Sequence, residues 1–377
     1  MHFLLLLLLA TSPIQIDGSF NDWPEGITHQ EDGNYVYELI ELPSDACLQQ
    51  LPEQKIVEAG EYTVFFSPKG KGYGVSCKKG DEWISTYDAG VVFAPTTAST
   101  KFELRVNKPS ITTSFSCKKS GDFRVVSWNV QFGTLLDDQE RSTRILKTLQ
   151  PDVLLLQELD GEDTNSALTE FLNKTLGGTW GSAMSTSTGK TRPQQLRSAV
   201  ASKILPFAPF KVGEPPLKVV GATITKNEKP INFFSLHLRC CGGPTGKAEE
   251  HRQKEAKVIH DTISNMQSPR FILAGDWNLV GTTKPLDIVT SDALRVVNAF
   301  QPDGLLNATW SDETSSFTPG RLDWMLYSPD FLSVTRSFVF ETSDLDSNTL
   351  IEYDLLAEDT AELSDHLPLV ADFQILR

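Results

Sequence analysis

Phe271-Ile272-Leu273-Ala274-Gly275-Asp276-Trp277-Asn278 is an apolar run that stops abruptly in a glycine, a carboxylate and an amide. A continuous apolar stretch of this length reads as a strand buried on both faces, with its polar tip where the sheet meets solvent. The pattern recurs outward in both directions. FRVV runs into Ser127-Trp128-Asn129, DVLLL into Gln157-Glu158 and INFF into Ser235-Leu236-His237. Arg321-Leu322-Asp323 and, before LPLVADF, Ser364-Asp365-His366 bring the number of such clusters to six. Six tips of this kind can converge on one site built from Asn, Glu, His and Asp side chains.

If Glu158, Asp276, Asp323 and Asp365 meet there, four carboxylates repel one another in a partly desolvated cleft, at several kcal/mol per buried charge. A divalent cation relieves that cost. Oxygen ligands with few thiols favour a hard ion, so Mg²⁺ is the first expectation, with Mn²⁺ or Ca²⁺ as substitutes. The remaining residues suit attack of water on a phosphate ester, which needs an activated nucleophile and charge neutralisation at the phosphoryl oxygens. His366 can act as base or as positive donor, with Asp323 setting its tautomer. Asn129 and Asn278 can orient water or hold phosphate oxygens without adding charge. Taken singly, Asp365 could cap a turn, Asn129 could end a strand, and His237 could be a core histidine bonded to a carbonyl. The joint order of the six clusters is what argues for a site.

VVSWNV, LLLQEL, FFSLHL, LAGDWN, RLDWMLYS and SDHLPLVADF, in that order between about Phe123 and Phe373, resemble the metal-dependent endonuclease/exonuclease/phosphatase superfamily over roughly two thirds of the chain. That resemblance implies an α/β fold, a four-layer α/β/β/α sandwich, and Mg²⁺-dependent hydrolysis of phosphoric esters. It implies that Glu158 binds the metal and that Asn129 helps hold the metal or its water. Asp365 would support the metal or the histidine. Asp276 would orient or deprotonate the attacking water, and Asn278 would contact a phosphate oxygen. His366, paired with Asp323, would contact the scissile phosphate, and His237 would act near the leaving group. Either Asp276 or His366 could be the base.

The 377-residue length favours two domains. MHFLLLLLLA is too short to span a bilayer but suits a signal-peptide core, although it lacks a basic start. The expected division is a signal peptide over 1–12, a mainly β, sandwich-like module over 13–118 and a catalytic domain over 119–377, giving a secreted or periplasmic protein. The module is read from EYTVFFS, GYGVSC, DAGVVFAP and KFELRVN, strand-length runs punctuated by Gly, Pro and Asp. Its IDGxxxDW opening, Ile16 to Trp23, resembles secreted sandwich domains related to carbohydrate-binding modules. That suggests a glycan or surface ligand, although an anchoring tryptophan explains the motif more simply.

In the catalytic region, DQERSTRILKTLQP and KAEEHRQKEAKVIHDTISNM read as helices from their charge order and apolar spacing. Arg252 on the second could reach substrate phosphate. The Gly/Ser/Thr-rich stretch 177–197 reads as a long loop beside the site. The five cysteines are an odd number, and the adjacent Cys240 and Cys241 could form a strained disulfide or stay reduced.

The chain carries a net charge of −15, distributed −6 and −9 between 13–118 and 119–377. Tight gripping of duplex DNA calls for a positive face, which leaves only a local patch around Arg141, Arg144, Lys190, Arg192 and Arg197. The leading expectation is a phosphodiesterase or nuclease acting on nucleic acid. The alternatives are a phospholipid or small organophosphate hydrolase and a polymer-binding protein acting through the module. A non-catalytic binding protein on a degenerate scaffold would have lost at least one tip residue, and none is lost.

Overall fold

The computed structural model describes residues 14, 16, 20–32, 35–43, 46, 48, 51–69, 72–86, 89–93, 100–108, 115–186, 191–214, 216–242, 246–279, 282–290, 293–302, 307–312 and 320–376. The expected signal peptide, Cys47 and Lys190 lie outside the described residues.

The N-terminal strands are β1 (His29–Glu31), β2 (Tyr35–Glu41), β3 (Lys55–Ala59), β4 (Tyr62–Lys69), β5 (Gly72–Lys79), β6 (Glu82–Ile84), β7 (Val92–Phe93) and β8 (Lys101–Asn107). They form two antiparallel sheets, β1-β2-β8-β7 and β3-β4-β5-β6. Strand alternation explains their packing. Val36, Ile40, Phe102 and Leu104 enter a core with Val57, Val64 and Phe66, while Tyr35 and Tyr37 turn to the opposite face. There Ile14, Ile16, Trp23 and Val92 cover them, together with Phe300 from the C-terminal half. Trp23 is buried and its indole donates to the Glu103 carboxylate at 2.8 Å, so it anchors the sandwich and is not free to stack on a sugar.

The C-terminal part runs β9 (Phe123–Asn129), α1 (Thr134–Asp137), α2 (Gln139–Leu149), β10 (Val153–Leu159), α3 (Asn165–Leu176), β11 (Gly181–Met184), α4 (Arg192–Gln195), β12 (Arg197–Ser202), β13 (Phe207–Lys211), β14 (Lys218–Lys226), β15 (Lys229–His237), α5 (Lys247–Ser264), β16 (Phe271–Asp276), α6 (Lys284–Thr290), β17 (Arg295–Val296), β18 (Asp323–Tyr327), β19 (Leu332–Val339), α7 (Ser347–Tyr353), α8 (Asp359–Leu363) and β20 (Leu369–Ile375). The two sheets are β11-β12-β10-β9-β20-β19 and β13-β14-β15-β16-β18-β17. Their inner faces share a core that includes Phe123, Val125, Leu155, Phe233, Ile272 and Met325. On the outer face of the first sheet, Val126, Trp128 and Leu156 pack with Ile145 and Leu149 of α2 and Leu168 of α3. On the outer face of the second, Phe234, Leu273 and Trp324 pack with Ala256 and Ile259 of α5 and Leu286 of α6. This is the four-layer α/β/β/α sandwich.

The stretch 177–197 contains β11 and α4, so it is less of a loop than its composition suggests. Arg124, wholly buried, pairs with Asp372 across β9 and β20 and donates to the carbonyls of Cys117 and Leu149. Cys117 therefore lies in the core of the C-terminal half, as does Phe115, whose ring meets Phe338 edge-on at 5.0 Å. Among the described residues no helix is long and apolar enough to cross a membrane.

We propose that the division between the two parts falls before Phe115, not at 118/119. A chain starting at Phe115 should give the catalytic half as a folded, active protein. One starting at Lys119 should be less stable by about 3 kcal/mol, because it leaves a cavity in a packed core. Denaturant unfolding of the two truncations checks this, and equal stability would return the boundary to 118/119.

Candidate active site

Pairing register is what brings the tips together. In the second sheet Lys218 faces His237, His237 faces Asp276 and Asp276 faces Asp323, giving one row across β14, β15, β16 and β18. Directly paired residues share a face, and this row shares the inner face with Val220, Phe233, Ala274 and Met325. In the first sheet β9 and β10 are parallel, with Asn129 opposite Gln157. Asn129 follows Phe123 and Val125 at even spacing and so also faces inward.

Glu158 should face outward by the same alternation. Instead the pairing of β10 with β12 shifts between Leu156 and Leu159, and Glu158 has φ +59°, a left-handed conformation uncommon outside glycine. The irregularity turns its carboxylate into the cleft. Gly275 is demanded by close approach: its φ is +152°, and a Cβ there would lie 1.8 Å from the Leu236 carbonyl oxygen.

Ligand atoms of Glu158, His237 and Asp276 all lie within 4.8 Å of one another. His237 Nε2 is 3.8 Å from Glu158 Oε1 and 3.7 Å from Asp276 Oδ2, too far for hydrogen bonds, and its buried Nδ1 has no partner. Burial, reinforced by Lys218 and His366, drives the His237 pKa well down, so the imidazole is neutral. Burial raises the Glu158 pKa, and it raises Asp276 to about 8, with Asp323 and Glu158 adding to the rise and His366 opposing it. A half-buried carboxylate, a buried one and a neutral imidazole, facing one another without mutual hydrogen bonds, fit a divalent cation.

Asp276 is fixed from two sides. Asn129 Nδ2 donates to its Oδ2 at 3.2 Å, and the Asn278 amide N–H donates to its Oδ1 at 2.9 Å. Asn278 also donates from Nδ2 to the Leu238 carbonyl at 3.2 Å, which ties the segment after β15 to β16. His366 Nδ1 lies 2.7 Å from Asp323 Oδ2, and its Nε2 is directed towards Asp276, 3.9 Å away. Burial disfavours charge on His366, but Asp323, aided by Asp276 and Asp365, outweighs it and raises its pKa to about 10. The Asp323 N–H donates to Thr309 Oγ1, and the Trp128 indole donates to the His366 carbonyl.

Asp365 lies near this group but outside the cation-sized trio; its Oδ2 accepts from the Trp310 indole at 3.0 Å. Arg252 does not reach the cleft. It is wholly buried and bonds to Glu249 and to the carbonyls of Arg239 and Cys241, so it shapes the loop after β15 and is not placed to bind substrate. Nor do the arginines of the expected basic patch form a free positive face. Arg141 pairs with Asp138 and Glu362, Arg144 with Glu140 and Asp359, and Arg192 with Asp160, while Arg197 donates to carbonyls of residues 160, 161 and 163.

Two contributors were missed in the sequence. Lys218 enters the site through register alone, and burial lowers its pKa against the pull of Glu158 and Asp276. Phe132, at φ +59° in the turn after β9, lies under the Arg192 guanidinium at 5.0 Å. With Glu158, His237, Leu196, Lys218 and Cys240 it lines a cavity of about 560 Å³. Only the polar cluster SWN ahead of VQFG hinted at this turn.

The sequence model described as the Endonuclease/Exonuclease/phosphatase family matches residues 126–366. The chain belongs to that family. Its members are metal-dependent phosphoric ester hydrolases. Among solved structures, a family protein from Leptotrichia buccalis is 17% identical, with 68% of this chain and 100% of that one covered at a TM-score of 0.47. A Neisseria 3′ phosphatase, NExo, bound to a product DNA hairpin, is 17% identical over 67% and 100% at 0.47. The human Nocturnin catalytic domain is 21% identical over 67% and 93% at 0.46. No curated protein matches the chain in sequence.

His366→Ala and Asp323→Asn are each expected to lower turnover by on the order of 10²-fold or more. The double variant should be scarcely worse than His366→Ala, since residues acting as one unit are non-additive. Steady-state kinetics of the three variants read this directly, and multiplying penalties would dissolve the pair.

Proposed function

We propose that this family member is a secreted, Mg²⁺-dependent phosphodiesterase that cleaves nucleic acid by attack of water. The observation that carries the reading is the convergence of the Glu158, His237 and Asp276 ligand atoms beside the Asp323–His366 pair. Glu158, His237 and Asp276 would hold the ion, with Asn129 held against Asp276. The imidazole in the donor set makes Mn²⁺ a stronger substitute than an all-oxygen set would. Ca²⁺ is the further substitute. When bound, the ion supplies charge neutralisation at the phosphoryl oxygens.

Each side chain has a task that follows from its surroundings. Asp276, held by Asn129 and Asn278, orients the attacking water and accepts its proton. His366, kept protonated by Asp323, donates to a phosphoryl oxygen from Nε2, which favours Asp276 over His366 as base. Asn278 acts through Asp276 and Leu238, with its second amide hydrogen left for a phosphate oxygen. Asp365 holds charge near His366. Lys218 adds a second cation on the cavity wall.

The apolar start MHFLLLLLLA supports export, and the N-terminal sandwich is assigned a surface ligand on its mainly β composition alone, because Trp23 of its opening is a buried anchor. The acidic balance argues for single-stranded or nicked nucleic acid over tight duplex binding.

Chelator should abolish hydrolysis of DNA, RNA and a bis-aryl phosphate alike, and Mg²⁺ or Mn²⁺ should restore it. Glu158→Gln should weaken metal binding, measured by calorimetry, and cut turnover together. Robust hydrolysis in excess chelator would sink the mechanism, while cleavage of sphingomyelin or inositol phosphates in preference to DNA and RNA would move the substrate class.

A further inference from the structure

Cys240 and Cys241 lie just past His237 and are both exposed, with Sγ atoms 2.8 Å apart. Cys240 lines the same cavity as Glu158, Lys218 and His237. The backbone that carries the two cysteines is held by the buried Arg252 and by Glu255. Arg252 donates to the carbonyls of Arg239 and Cys241 at 2.9 and 2.8 Å, and the Arg239 N–H donates to Glu255 at 2.8 Å. The same segment touches the chemistry one step earlier. The Leu238 N–H donates to the Asp276 carbonyl, and the Leu238 carbonyl accepts from Asn278. A displacement of the 239–241 backbone therefore pulls on His237, Asp276 and Asn278 through one short stretch of chain.

We propose that Cys240 and Cys241 form a dithiol modification site that exchanges with small disulfides and closes to a ring, lowering activity in the adjoining cleft. The other two described cysteines, Cys77 and Cys117, are buried single thiols whose pKa values burial raises to about 11 and about 12. Cys241 differs in kind. Its contact with Cys240, with Arg239 and Arg252 nearby, lowers its pKa to about 6, so it is the attacking thiolate.

The thiolate attacks one sulfur of oxidised glutathione; a Cys241–glutathione bond forms, the reagent's S–S bond breaks, and one glutathione leaves and takes up a proton. Cys240 then gives its proton to solvent and attacks Cys241 Sγ, forming the Cys240–Cys241 bond and expelling the second glutathione. Two protein thiols are oxidised and one small disulfide is reduced to two thiols. Adjacent Cα atoms stand about 3.8 Å apart across a trans peptide, short of the roughly 4.4–6.8 Å usual for a disulfide. The ring is therefore strained and readily reduced, which suits a reversible modification better than a structural staple. Closing it displaces the 239–241 backbone from Arg252, and a shift of that size at catalytic groups costs turnover.

The test treats the whole protein, with its metal, with oxidised glutathione and then dithiothreitol. Mass spectrometry of the peptide containing residues 240 and 241 should show loss of two hydrogens with no retained glutathione. Turnover on a bis-aryl phosphate should fall about tenfold and return on reduction. Cys241→Ser should keep its basal turnover and lose the sensitivity. Persistent mixed disulfides, disulfide-linked dimers or a closed ring with unchanged turnover would each overturn the proposal. The mass readout does not depend on the substrate assignment, so failure of the phosphodiesterase reading and failure of the dithiol are told apart.

Discussion

Face-to-face packing of the two six-stranded sheets is the constraint on which everything else rests. Each sheet contains one parallel pair, β9 with β10 and β15 with β16, and parallel neighbours end at the same side. Because Phe123, Val125 and Leu155 of one sheet lock against Phe233, Ile272 and Met325 of the other, both pairs end over a single cleft. The inner faces change character along their length. They pass from this apolar core through a polar layer, in which Gln157 donates to Ser235 and Ser235 to the Leu156 carbonyl, to the charged rim.

That gradient explains how so many carboxylates can be buried together. Glu158, Asp276 and Asp323 sit at the end of an otherwise apolar sandwich, where desolvation penalises charge strongly. The penalty is relieved locally for Asp323, which has His366 at 2.7 Å, and for Asp276 by the two amide donors of Asn129 and Asn278. For Glu158, His237 and Asp276 as a group, the relief left to supply is a cation. Arginines elsewhere in the C-terminal half are occupied with structural work, from the buried Arg124–Asp372 pair to Arg252 under the loop after β15. The balance of charge in the cleft therefore rests on few groups, with Lys218 prominent among them.

The N-terminal sandwich meets the catalytic half through Phe300, stacked on Tyr35 at 6.1 Å and capped by the Arg105 guanidinium. Phe300 joins Ile14, Ile16, Trp23 and Val92 in covering the face that carries Tyr35 and Tyr37. The proposed join before Phe115 rests on a separate contact. Phe115 and Cys117 sit in a polar-looking stretch, yet they belong to the core behind β9 and β20.

Much of the site was legible in the sequence because a strand buried on both faces has to be apolar, so the position where polarity returns marks its end. On that ground Asn129, Asp276, Asp323 and His366 were expected at strand ends, and the fold brings their side chains side by side; α2 and α5 appeared where charge order and apolar spacing put them. What the sequence could not carry were relations between strands. Glu158 reaches the cleft through a bulge and a left-handed φ, Lys218 through pairing with His237, and His237 comes to lie between the Glu158 and Asp276 carboxylates. Arg252 looked available because a helix position says nothing about which carbonyls lie beneath it. The one-dimensional pattern determined which residues stand at strand ends, since burial acts on each strand separately. Only the tertiary structure decided which of them touch, because register and sheet stacking depend on residues far apart in the chain.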